Sequence, residues 1–207
     1  MTLDKKSGAA VLCGGVRELE FPIRSNGKIH RGSIGCAGDI GHICVDKQGA
    51  VCRCGNTGCL EAMAAGPAIS EKAMQAAKNG LSPLLLQMQE SNGGFLRPED
   101  VNAASREGDQ VALEIIRSSG QMIGDVLAGL VNFFNPSHIF IGGGISNFGN
   151  YLLVAIRRAV LRRSLPLATR NLSINYSRMG PDAGVTGAVA LAREYLFVVE
   201  DQPFNTG

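Results

Sequence analysis

The chain has 207 residues, 45% hydrophobic and 18% charged, which is enough apolar material for an ordinary buried core and too much for disorder. Its 20 basic and 18 acidic side chains leave a net charge of +2, and with 5% aromatic residues and no Trp there is neither a polyanion-binding charge excess nor a base-stacking platform. No apolar run approaches the ~20 residues that span a bilayer, and Met1–Lys6 lacks the apolar core of a secretory signal, so the expectation is a soluble, cytoplasmic protein without a membrane partner.

In chain order, Gly8–Gly15 is a candidate strand ending in a turn, inside an opening stretch to Ser25 with no clean periodicity. Asn26-Gly27 marks a hairpin turn. Gly32–Gly41 is a glycine-punctuated loop, and Ile43–Val45 is expected to be a short strand. A helix starts after Cys59, Pro67 interrupts it, and a second runs over Ala68–Lys78 to an Asn79-Gly80 stop. Leu84–Gln89 reads as a short helix, and Pro98 opens another, where its missing N–H costs nothing. From Asp109 to Phe134, Val111, Ile115, Ile116, Met122, Ile123, Val126, Leu127, Leu130 and Val131 recur at the spacing of one buried helical face. Asn135-Pro136 ends it. His138–Ile141 predicts a strand, Phe148–Arg163 a helix, Leu172–Tyr176 a strand and Ala183–Phe197 a closing helix, with a frayed tail beyond. This order predicts an α/β fold with at least two parallel strands.

Six cysteines stand at positions 13, 36, 44, 52, 54 and 59. Cys52, Cys54 and Cys59 fall within eight residues, and Gly55 and Gly58 let the backbone curl around one centre. With His42 as fourth ligand they make a closed tetrahedral set suited to a structural zinc ion. The alternative is a group of ordinary buried thiols in a glycine-rich loop. Cys13, Cys36 and Cys44 are isolated and are expected to be small buried hydrophobes. Asp39 and Glu61 bracket the cluster, so a metal held by His42 and Cys59 would bring both carboxylates beside it. There, Asp39, His42 and Glu61 would hydrogen-bond adjacent sugar hydroxyls, or the carboxylates would merely orient loop backbone and cap the following helix.

Gly142-Gly143-Gly144 lies between a strand and a helix, at a carboxyl strand end where phosphate or ribose can meet helix N–H groups; close packing is the competing role. The second small-residue turn, Gly180–Gly187, is assigned to helix packing. His30 and His138 are expected to be satisfied histidines, and the arginines of Ile156–Arg163 a solvated helix face without nucleic-acid contacts.

Gly41-His42 followed by Cys52-Arg-Cys54-Gly-Asn-Thr-Gly-Cys59-Leu-Glu61 resembles the defining motif of the ROK family of repressors, open reading frames and sugar kinases. Asn26–Gly32, Leu130–Pro136, Ile139–Ser146 and Ala183–Ala188 resemble further family motifs in the same order. The resemblance implies an actin-like, ribonuclease H-like α/β fold with a ligand cleft between two lobes, here with the amino-terminal lobe largely missing. It implies an atypical segment over 1–25, a sugar-binding domain over 26–197 and a tail over 198–207. It further implies a structural zinc on His42, Cys52, Cys54 and Cys59, sugar contacts from Asp39, His42 and Glu61, a nucleotide site at Gly142, Gly143 and Gly144 in kinase members, and a homodimer or larger homo-oligomer.

Two departures shape the expected function. The Asp-x-Gly-x-Thr phosphate loop and the Asn-Asp-Ala-Asn-like segment that carries the kinase base do not occur, so the chain alone is not expected to phosphorylate sugar. Asp39 replaces the glutamate usual in sugar-phosphorylating members, and Gly38-Asp-Ile-Gly-His42 is more similar to the regulator branch. Arg17–Ile23 also stands where the family has a glycine-rich strand, as a shifted reading frame would produce. The expectation is the sugar-sensing part of a ROK transcriptional regulator truncated before its DNA-binding domain. The alternatives are the second lobe of a glucokinase-like enzyme using ATP and Mg2+, and a remnant without function.

Overall fold

The computed structural model describes residues 9–14, 19–25, 28–179, 184–189 and 192. The chain divides into two compact units, Met1–Ser177 and Arg178–Gly207. In the second, residues 184–189 are helical. Residue 192 of the expected closing helix is also helical, and the rest of that helix, with Gly180–Ala183, lies outside the described residues.

The first unit is built on one sheet. Its strands are β1 (Ala9–Gly14), β2 (Leu19–Glu20), β3 (Ile23–Ser25), β4 (Lys28–His30), β5 (His138–Gly143) and β6 (Ser173–Tyr176). The order is β4-β3-β1-β5-β6, with β2 paired to the end of β1. The β1–β3 and β3–β4 pairs are antiparallel, and Ser25 faces Lys28 across the expected Asn26-Gly27 turn, which itself lies outside the described residues. β1–β5 and β5–β6 are parallel. The mixed α/β expectation is met, with three parallel strands. Gly14 pairs with Gly143, so two glycine-bearing strand ends lie side by side.

β2 and β3 escape the sequence reading because each is too short for alternation to register. Leu19 and Phe21 are buried on either side of exposed Glu20, and Pro22 then removes a ladder donor. The strand expected at Ile43–Val45 is instead a single bridge between Cys44 and Cys59.

The helices are α1 (Leu60–Ala64), α2 (Gly66–Lys78), α3 (Pro83–Ser91), α4 (Pro98–Arg106), α5 (Gln110–Phe134), α6 (Gly149–Arg163) and α7 (Pro166–Thr169), with a 3-10 turn at Gly144–Phe148. Pro67, Pro83, Pro98 and Pro166 all sit at the first helical positions. Ser82 and Asp109 cap α3 and α5 through the Leu85 and Ala112 N–H groups, and the Ser82 hydroxyl donates to Asp109 at 2.6 Å, so one contact joins two helix starts. α5 ends at Asn135 in the left-handed region (φ 46°), before Pro136. Its apolar face, Ile115, Ile116, Ile123, Leu127 and Val131, joins Ile139 and Ile141 of β5 and Leu152, Ile156 and Val160 of α6 in the core.

Not all of the Ile156–Arg163 arginines form a solvated face. Arg157 donates to the Ile174 carbonyl (Nε, 2.8 Å) and to Asn175, tying α6 to β6. Arg162 and Arg163 lie 3.7 and 3.4 Å from the Asp125 carboxylate on α5. No helix among the described residues is long and apolar enough to cross a membrane.

Candidate functional site

The loop from Arg31 to Cys59 is held to the sheet by backbone. Asp39 bridges Glu20, and the Gly41 N–H donates to the Leu19 carbonyl at 2.9 Å. The Phe21 N–H donates to Gly38, whose φ of +104° and 2.7 Å approach to the Phe21 carbonyl leave no room for a Cβ. The other end of the loop is the start of α1, where Cys59 is the N-cap residue and the Glu61 N–H donates to the Gly41 carbonyl at 2.9 Å. Gly41 is the pivot between the two carboxylates. A Cβ there would lie 3.4 Å from Asp39 Oδ1 and 3.5 Å from Glu61 Cβ. The structure therefore brings Asp39, His42 and Glu61 to one place.

It also brings His42, Cys52, Cys54 and Cys59 together, with all four donor atoms within 4.8 Å of one another. His42 Nδ1 stands 3.6 Å from Cys52 Sγ, and Cys54 Sγ 3.6 Å from Cys59 Sγ. Around a tetrahedral zinc with its usual bond lengths, donor atoms stand about 3.6–3.8 Å apart, so these two edges already fit and the longest needs a contraction of about 1 Å. Cys52 and Cys59 are buried, Cys54 and His42 exposed. Without a cation the thiols diverge. The Asn56 backbone N–H, more than any other contact, draws Cys54 down to about 7, while burial pushes Cys59 up to about 12. A divalent cation would relieve this mismatch by holding all three as thiolates. The imidazole's other nitrogen, Nε2, lies 3.8 Å from Asp39 Oδ2, the position of a carboxylate that orients a metal-binding histidine.

Gly142–Gly144 lies at the carboxyl end of β5, with Gly143 at φ +73° and Gly143 and Gly144 exposed. A crevice of about 40 Å³ bordered by Leu19, Ala65, Gly66, Glu99, Gly144 and Ile145 lies at the same end of the sheet. A larger concavity of about 560 Å³ runs along α5 and α6 and shares no residue with either site. Neither concavity is lined by Asp39, His42 or Glu61.

Residues 21–195 match the model of the ROK family. The chain belongs to the ROK family. Its ROK relatives include a glucokinase of Halalkalibacterium halodurans, 36% identical over 83% of this chain and 52% of the relative. A xylose repressor of Caldicellulosiruptor bescii is 33% identical over 79% of this chain and 41% of the relative. Among solved structures, a ROK glucokinase from Streptomyces griseus in complex with glucose and AMPPNP superposes with a TM-score of 0.80 at 30% identity, covering 92% of this chain and 62% of that one. The chain thus spans about half the length of the curated ROK relatives it matches.

His138 accepts or donates a 2.8 Å hydrogen bond with Ser137 and stacks on Phe140, a satisfied histidine, while His30 lies exposed on β4. Cys36 and Cys44 are exposed, contrary to the expectation of buried hydrophobes, because both sit in loops that cover no core; the Cys13 side chain lies outside the described residues. The sequence reading put Asp39 beside the His42 cluster but did not specify its direct contact with His42, and it did not anticipate the exposed Cys44 opposite Cys59. The first had a signal in the i, i+3 spacing, and the second had none.

Proposed function

We propose that this chain is the sugar-binding portion of a ROK transcriptional regulator, with His42, Cys52, Cys54 and Cys59 holding a structural zinc. The observation that carries the reading is the double duty of His42, whose Nδ1 faces the Cys52 sulfur at 3.6 Å and whose Nε2 faces Asp39 at 3.8 Å. When bound, the metal would cross-link the loop and polarise the imidazole, making Nε2–H a better donor. Asp39 then accepts from sugar hydroxyls, His42 donates to one, and Glu61, set across Gly41 on the first turn of α1, accepts from a neighbour. The strand order suits one lobe of an actin-like fold, and a sugar that binds its open and closed forms unequally would bias an attached domain. Supporting the regulator branch are the repressor relative and the aspartate at position 39, whose reach is one methylene shorter than glutamate's.

A second reading, the sugar lobe of an ATP-dependent kinase, is favoured by the 36% identical glucokinase and by the exposed glycine turn at Gly143-Gly144.

Calorimetry with glucose, xylose and N-acetylglucosamine tests the site. Saturable heat with at least one sugar is expected, weakened about 10- to 100-fold in Asp39→Ala or Glu61→Ala, the worth of one hydrogen bond to a charged group. No heat with any of the three would sink the sugar site. Sugar-dependent ADP release from ATP, above a sugar-free control, would overturn the regulator reading in favour of the kinase.

A further inference from the structure

Cys44 is not among the four donors, yet the backbone sets it directly opposite one of them. Cys44 and Cys59 form an antiparallel bridge. The Val45 N–H donates to Gly58 and the Leu60 N–H to Ile43, both at 2.8 Å. Hydrogen bonds on the flanking residues, with none between the opposed pair, define the non-hydrogen-bonded site of an antiparallel ladder, where Cα atoms stand about 4.5 Å apart and both side chains leave the same face. A disulfide spans Cα separations of about 4.4–6.8 Å, so this pair can close with little backbone movement. Exposure supplies an order of events, since Cys44 is open to solvent and Cys59 is fully buried.

We infer that Cys44 is a peroxide-sensing thiol which, once oxidised by a peroxide, is resolved by Cys59 as a disulfide that removes Cys59 from the metal-binding set. The inference rests on the metal reading above. In the first step the Cys44 sulfur attacks the peroxide. The O–O bond breaks, an S–O bond forms, the sulfur is oxidised by two electrons to a sulfenic acid, and the other oxygen leaves as water or alcohol. In the second, the Cys59 thiolate attacks the Cys44 sulfur. The S–S bond forms, the S–O bond breaks, and the hydroxide takes a proton from solvent to leave as water. The metal keeps only His42, Cys52 and Cys54. Cys59 is also the N-cap of α1, so loss of the metal cross-link frees the helix start that carries Glu61. A thiol reductant reverses the change. Cys54, exposed and 3.6 Å from Cys59, is the rival partner, but as one of the metal donors its sulfur is already engaged.

The test treats the purified, metal-loaded chain with hydrogen peroxide and follows metal release with a chromophoric chelator alongside non-reducing peptide mapping. Expected is loss of the metal in step with a Cys44–Cys59 cross-linked peptide, lighter than the two free peptides by about 2 Da, and recovery on adding dithiothreitol. Cys44→Ala should keep its metal at peroxide levels that empty the parent chain, and Cys36→Ala, which removes an exposed thiol elsewhere in the loop, should respond like the parent. Metal loss from Cys44→Ala as fast as from the parent, or a Cys54–Cys59 link in place of Cys44–Cys59, overturns the inference. If the starting chain takes up no metal, the metal reading fails on that count alone, and the cross-link, mapped in the same chain, still decides the pairing of Cys44 with Cys59.

Discussion

At Gly58 the chain turns with φ +71°, and a Cβ there would fall 1.5 Å from the Asp46 carbonyl oxygen. No side-chain movement relieves a clash with backbone. Gly55, three residues earlier, has φ +88° but open space around it. Gly58→Ala should therefore cost about 3 kcal/mol or more and reduce metal uptake, whereas Gly55→Ala should cost only the about 1–2 kcal/mol of a left-handed alanine. Denaturant midpoints and metal content of the two variants check the contrast, and equal losses would contradict it. The same stretch shows what residue-level reading can reach. Three cysteines in eight residues announce a common centre, because backbone geometry within a short loop is local. The exposure of Cys44 depends on its bridge to Cys59, and spacing does not record through-space pairing.

Among elements, α5 and α6 depend on small residues. A Cβ on Gly124 would sit 2.6 Å from Ala159 Cβ and 2.7 Å from the Ile156 carbonyl oxygen, and one on Gly120 2.8 Å from Ala155 Cβ. Gly129, on the exposed side of the same helix, meets nothing. Gly124→Ala should push the helices apart at a cost of about 1–3 kcal/mol, while Gly129→Ala should stabilise by about 0.5–1 kcal/mol through the entropy of the unfolded chain. Thermal melts of both should move in opposite directions, and a shared direction would refute the packing account. α5 was legible because its apolar period persists through seven turns and its ends carry Asp109 and Asn135-Pro136. β2, β3 and α7 were not, since two to four residues hold less than one repeat of any pattern and their conformation is set by the neighbours they pair with.

Over the whole first unit, the core and the Gly41–Cys59 loop are separate stores of stability. Most buried side chains lie on α2, α4, α5, α6 and β5, and the loop from Gly41 to Cys59 adds few beyond Cys52 and Cys59. Chelation should therefore abolish sugar binding while leaving the helical circular dichroism nearly intact. Global unfolding on adding a chelator would show that the core depends on the knot. At this scale the sequence conveyed the mixed α/β character and the parallel strands, but not which strand neighbours which.

The pairing of β1 with β5 joins Ala9 to His138, a separation of roughly 130 residues. On the ribosome β1 is translated long before its parallel neighbour, and the intervening helices can collapse first through contacts close in the chain. Closure of the sheet is accordingly a late kinetic event, and until then a nascent strand with an open edge must be shielded from other chains. That seam is the point of the fold most exposed to misassembly during synthesis.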